Sequence, residues 1–232
     1  MKDIFSALIL AVGIAIAGIA LACSIYAFKN FDHYVSVKGL AEQVVKSNDA
    51  VWQIKVSAAD DQLSNVYTQI TNAQNKITAF LKDQGFQLEE IQLMTVDVTD
   101  NAAQAYSGNK NAKRYAANAG VVLHTGRIDL LSAAQQKINQ LVQAGIVLTQ
   151  SQTAYYFTKL NDIKPTMLDS ATANAKKAAE LFAHNSGNNL GKIRTASQGL
   201  FTIEDLAQQG YGANSSVMKN VRVVTTVEYF LR

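Results

Sequence analysis

Three histidines, one cysteine and adjacent carboxylates such as Asp60-Asp61 and Glu89-Glu90 are the first side chains of this 232-residue chain to weigh for acid–base, nucleophilic or metal chemistry. His33, His124 and His184 stand far apart, with no H-x-x-x-H spacing and no carboxylate cluster beside them, so no metal ligand is assigned. A strand end for His124 and the last turn of a helix for His184, where a cation suits the helix dipole, account for them structurally. Asp60-Asp61 and Glu89-Glu90 read as a helix cap and a solvated strand start, because chain neighbours rarely converge on one substrate. Gly187-Asn188-Asn189-Leu190-Gly191-Lys192-Ile193 has three residues between its glycines where a phosphate loop has four, and Ile193 stands where Ser or Thr would hold magnesium. A helix cap and then a strand explain it better. No G-x-S-x-G occurs, and Cys23 lies in an apolar segment away from any histidine. Tyr155 and Phe157 would share one side of a strand and pack, not stack a ligand. No catalytic, cofactor-binding or metal-binding residue is assigned, and the chain reads as non-enzymatic.

These residues hang on a chain with a distinctive start. Residues 4 to 28 carry no charge, and as a helix they would cover about 37 Å, enough to span a membrane with some tilt. A secretory signal core is shorter, roughly 7 to 15 apolar residues. Ala20-Leu21-Ala22 does resemble a cleavage site, and Ala-Leu-Ala-Cys resembles a lipoprotein processing site ending at Cys23. The apolar run nevertheless continues to Phe28, which favours an uncleaved anchor contacting membrane lipid through residues 4–28. Lysines on both flanks specify orientation weakly, but a short N-terminal tail before one span favours export of the rest of the chain. Small residues such as Ala11/Ala15 and Gly18/Ala22 would let two such helices approach.

The rest of the chain has the composition of a folded domain. Hydrophobic residues make up 48% and there is a single proline, so a sizeable core is available and a long linker is not. With 21 basic and 18 acidic residues the charge is too balanced for a nucleic-acid binder. One cysteine permits no intrachain disulfide.

Periodicity sets the elements. A strand or strand pair begins at Tyr34–Lys46. Trp52, Ile54, Val56 and Ala58 alternate with polar residues as a half-buried strand. Leu63, Val66, Ile70, Ala73, Ile77 and Phe80 follow helical spacing, with Asp60 or Asp61 as N-cap and Gly85 as stop. Met94, Val96 and Val98 mark a strand, and Tyr115 to Leu123 another after a polar loop from Asp100 to Lys113. Leu131, Ala134, Ile138, Leu141 and Val142 form a second amphipathic helix ending at Gly145, and Leu148–Thr158 is a strand. The order is β-α-β-β-α-β, the split βαβ pattern of ferredoxin-like units. A third helix starts near Pro165 with Leu168, Ala171, Ala175, Ala178 and Phe182 on its buried stripe and stops at Gly187. Strands near 192–197 and 220–231 complete the chain, separated by a polar loop from Thr202 to Lys219.

Lys164-Pro165-Thr166-Met167-Leu168-Asp169-Ser170-Ala171 leading into Ala175-Lys176-Lys177-Ala178-Ala179-Glu180-Leu181, with Leu190-Gly191-Lys192-Ile193, Val35-Ser36-Val37-Lys38-Gly39, Ser47-Asn48-Asp49-Ala50 and the closing Val221 to Tyr229, resembles the SIMPL-domain family over about residues 33 to 231. Asn48 stands where many members have proline. The resemblance implies an α+β fold with a large, mostly antiparallel sheet, a periplasmic or outward-facing location, ring-like oligomers in some members, and a setting in envelope or oxidative-stress tolerance. It implies no enzymatic activity, no cofactor and no catalytic residues.

The expected organisation is therefore an anchor and short linker over 1–32 and a SIMPL-like α+β domain over 33–232, with a βαββαβ-type core and an added α-β-β extension. The expected role is a membrane-anchored, periplasm-facing scaffold of a bacterial inner membrane that forms homo-oligomers or binds envelope protein partners. A periplasmic small-ligand-binding module, or secretion after cleavage near Ala22, is the alternative.

Overall fold

The computed structural model describes residues 12–25, 33–103, 113–206 and 214–232. After α1 (residues 12–25) the elements run β1 (Tyr34–Lys46), β2 (Asp49–Asp60), α2 (Leu63–Asp83), β3 (Ile91–Leu93), β4 (Asp97–Asp100), β5 (Tyr115–Thr125), α3 (Ile128–Gln136), α4 (Asn139–Gln143), β6 (Leu148–Tyr156), α5 (Leu160–Asn185), β7 (Leu190–Gln198), β8 (Thr202–Asp205) and β9 (Met218–Leu231). Chain contacts divide them into two compact units, residues 44–162 with 203–221, and residues 1–43 with 163–202 and 222–232. In α1 the apolar side chains, Ile14, Ile16 and Leu21 among them, are exposed. Among the described residues no helix is long and apolar enough to cross a membrane. The flanks of the expected anchor, 4–11 and 26–28, lie outside the described residues, as do the centres of both expected polar loops.

In the larger unit β2 is central because every second residue is apolar. Ala50, Trp52, Ile54 and Val56 are buried under α2, α3 and α4, and the antiparallel partner β5 adds Ala117, Ala119, Val121 and Leu123 to the same face. Strand order β3-β5-β2-β6 puts the first and third strands of the βαββαβ repeat in the middle, as its connections require. Val66, Ile70, Ile77 and Phe80 of α2 are buried as their spacing demands, and Gly85 ends the helix at φ +97°. The N-cap is Gln62, not an aspartate, because β2 runs on to Asp60. Asp60 instead accepts hydrogen bonds from the Gln62 amide (2.9 Å) and the Asn65 side chain (3.2 Å), and these hold its carboxyl below the usual range.

Two expected elements are broken. Leu93 pairs with Val121 and Asp97 with Asn118, so three residues face two on β5. This bulge splits the expected strand into β3 and β4 and leaves Val98 exposed. Gln74, buried on α2, donates to the carbonyls of Met94 (2.8 Å) and Gly120 (3.0 Å) and fills the irregularity. The second expected helix divides at Lys137 and Ile138 into α3 and α4, and Val142 is exposed.

The smaller unit sets α5 against strands in the order β1-β9-β7, with Val37, Ala175, Ala179, Val227 and Tyr229 as its core. Here the expected helix phase is wrong. The buried stripe is Met167, Ala171, Ala175, Ala179 and Ala183, while Phe182 is 60% exposed. Alanines face inward because Gly39 of β1 packs directly beneath, so the helix backbone sits too close for a larger residue. The helix also starts at Leu160, since Leu160 and Ile163 carry the stripe back by a turn, leaving Pro165 inside it. Phe182→Ala is accordingly expected to change stability by no more than about 0.5 kcal/mol in denaturant titration.

Candidate functional site

The residues singled out for chemistry are dispersed. His124 Nε2 lies 2.9 Å from the Asp49 carboxylate. The carbonyls of His33 and His184 accept from the amides of Leu231 (2.8 Å) and Gly187 (3.1 Å). Among the described residues no three His, Cys, Asp or Glu side chains converge as a metal would need. Gly187, at φ +72°, caps α5 while the Asn188 amide reaches back to Ala183 (2.9 Å), so the glycine-containing run is a helix cap leading into β7. Asp61 accepts from Lys113 Nζ (2.5 Å) and the Arg114 amide (3.2 Å), and those bonds lower its pKa. Tyr155 is buried and donates to Gln135 (3.1 Å), whereas Phe157 lies beyond the end of β6.

Glu90 belongs to a network. Burial pushes its pKa up, but bonds from the Thr125 hydroxyl (2.5 Å), the Gln87 amide (2.8 Å) and the Arg127 guanidinium outweigh that and hold it low. Arg127 also donates to the Gly85 carbonyl (2.9 Å), so it is fixed at the start of α3. Beside it opens a cleft of about 500 Å³, lined on one side by Lys46, Ser47 and Asn48 and on the other by Gly126, Arg127 and the first turn of α3. Lys46 Nζ lies 2.7 Å from Asp129.

The second feature is the face of the β2 sheet opposite its helices. Register places Val51, Gln53 and Lys55 of β2 beside Val122 and Gly120 of β5 and Ala154, Gln152 and Gln150 of β6. Val51, Val122 and Ala154 are half-buried, Gln152 is exposed, and the centre carries no carboxylate. At one end Asp49 and His124 are paired with each other. Gly120 is required there, because a Cβ would stand 2.2 Å from the Ile54 carbonyl oxygen.

Sequence reasoning missed a buried ion pair. The segment expected as a loop from Thr202 to Lys219 contains β8, which pairs with β9. Lys219 is 1% exposed and bonded to Asp205, which also accepts from the Ser215 (2.8 Å) and Ser216 (3.3 Å) amides. Burial raises the Asp205 pKa, but the bonds from Lys219, Ser216 and Ser215 and the lysine's charge lower it further, leaving it below the usual value. The only sequence signal was Lys219 standing in the alternation that buries Val221 and Val223.

A family model described as SIMPL, protein of unknown function (DUF541), matches residues 35–228. No curated protein matches the chain. An uncharacterized conserved protein from Listeria innocua is 8% identical, with 79% of this chain and 91% of that chain covered and a TM-score of 0.24. A hydrolase encoded by lin2189 from Listeria innocua is 8% identical over 79% and 90%, with a TM-score of 0.23. Likeness at that level carries nothing about fold or function over to this chain.

Proposed function

The chain belongs to the SIMPL family, and from that premise we propose that it is a non-enzymatic scaffold that self-associates through the open face of its β2 sheet. The observation that carries this is the composition of that face. Val51, Val122 and Ala154 offer apolar surface, and Gln53, Gln150 and Gln152 supply hydrogen bonds beside a single charge, Lys55. A surface of this kind fits a second copy, since a twofold contact uses the same patch on both sides, and a patch of apolar and amide side chains meets its copy with little like-charge repulsion.

The same proposal places the domain outside the cytoplasm, held to a bacterial inner membrane by residues 4–28, in the setting of envelope or oxidative-stress tolerance. The uncharged run of 25 residues supports the anchor. So do the exposed apolar side chains along α1. Contacts with envelope partners would extend the same face. No cofactor is invoked, and His124 and Asp49 are engaged with each other.

Val122→Lys tests the face. It points away from the core and should leave the melting temperature within a few degrees, because a surface substitution costs about 0.5 kcal/mol or less. The expected result is a fall in native mass at unchanged stability. An unchanged native mass would remove this face from the assembly.

A further inference from the structure

The ends of four elements meet at one end of the smaller unit. The Leu231 amide donates to the His33 carbonyl (2.8 Å), and the Asn189 and Arg232 amides donate to each other's carbonyls (2.7 and 2.9 Å). The start of β1, the last turn of α5, the turn into β7 and the end of β9 therefore lie together. Large apolar side chains stand in water there, because Leu181, Phe182 and Ile193 are each more than half exposed. Neither Leu181 nor Phe182 serves the core, since the stripe that α5 buries runs from Met167 through Ala179 to Ala183. Tyr34, which opens β1, is also exposed and lies 4.1 Å from the Arg194 guanidinium, measured to the ring centroid. The charge beside these residues is positive. Glu180 and Glu228 are paired with Lys176 (3.8 Å) and Arg194 (3.5 Å), whereas Lys177 and Lys192 meet no carboxylate among the described residues.

Chain length limits how far this end can stand from the apolar start of the protein. Phe28 closes the uncharged run and His33 follows five residues later, so the two are no more than about 18 Å apart. We infer that this end of the smaller unit is a second membrane contact, in which Leu181, Phe182 and Ile193 enter the interface of an anionic bilayer and Lys177 and Lys192 meet its phosphates. The inference rests on residues 4–28 being the anchor proposed above. Apolar side chains flanked by lysine, with a tyrosine beside them, are the composition that settles at the headgroup level. Anionic lipid adds attraction for each lysine held near its surface. Three apolar side chains would hold a free protein to lipid weakly, but a short tether keeps them at high effective concentration, so a small contact suffices. An exposed phenylalanine on a helix whose inward face admits only alanine then has a use outside the fold.

The test uses the full chain in vesicles of phosphatidylglycerol and phosphatidylcholine whose acyl chains are brominated, with phosphatidylcholine alone for comparison. Phe182→Trp puts an indole at the contact, and the parent's single tryptophan, Trp52, is buried and supplies the background. The expected result is emission that is blue-shifted and quenched by the brominated lipid. Both changes should shrink when phosphatidylglycerol is left out, or when Lys177→Glu and Lys192→Glu are added. Leu200→Trp, at an exposed position about 25 Å further along β7, should show neither change. Leu181→Trp repeats the measurement if Phe182→Trp misfolds. Flotation of the vesicles after an alkaline wash reads the anchor separately. A chain that washes off contradicts the anchor, and the quenching is then read by adding the same vesicles to the free chain. Emission from Phe182→Trp that brominated lipid leaves unchanged, or quenches no more than that from Leu200→Trp, would overturn the contact whether or not the chain floats. Quenching indifferent to phosphatidylglycerol and to both lysines would overturn its assignment to an anionic surface.

Discussion

Asp205→Ala is expected to destabilise the protein by about 3–5 kcal/mol, the cost of leaving a buried charge without its partner. Lys219 is 1% exposed, so its ammonium would lose the Asp205 carboxylate without gaining water. The Ser215 and Ser216 amides would lose their acceptor as well, releasing the segment that leads into β9. Equilibrium urea denaturation checks the magnitude. Adding Lys219→Met to Asp205→Ala should restore much of the loss, because an apolar residue in place of a buried ion pair is often neutral or stabilising. An Asp205→Ala variant as stable as the parent would show that the pair is not buried.

The pair also has a pH signature. The folded pKa of Asp205 is depressed below the ordinary aspartate value of about 3.9. Its contribution is therefore complete above that value and is lost as pH falls through the folded pKa. Acid unfolding of the parent should steepen below about pH 4, and Asp205→Ala should lack that component.

The second large effect is steric. A Cβ at Gly39 would stand 1.9 Å from the Ala171 carbonyl oxygen and 2.6 Å from the Ala175 nitrogen, both backbone atoms of α5 that cannot rotate away. Gly39→Val must therefore push the helix off β1, opening the contact that buries Val37, Ala175 and Ala179. A loss of about 3 kcal/mol is expected, at the upper end for overpacking a core. Thermal melts beside Phe182→Ala, which removes a far larger side chain from the same helix at little cost, separate close packing from bulk. Equal effects of the two substitutions would contradict the helix phase.

That phase was hidden in the sequence for a physical reason. A stripe of alanines has weak hydrophobic contrast, so Phe182 dominated the periodicity although the inward face admits only small residues. Where apolar contrast is strong, as in Trp52, Ile54 and Val56 or in Val66, Ile70 and Ile77, strand and helix were legible along with their faces. The stops at Gly85, Gly145 and Gly187 were legible too, since all three carry the positive φ that favours glycine. The Asp205–Lys219 pair was not, because a buried lysine contradicts its own polarity and its partner sits fourteen residues away across a polar segment. The cleft at α3 was equally out of reach. Ser47 and Gly126 are far apart in the chain, and only the register that sets Ala50 against Thr125 brings their neighbours together.

Native mass by sedimentation equilibrium tests self-association of the globular part. Residues 33–232 should sediment as a multiple of the monomer mass, and the full chain in detergent should keep the same multiple after subtraction of bound detergent. A monomer for residues 33–232 beside an oligomeric full chain would assign association to the anchor, and monomers in both would contradict the scaffold altogether.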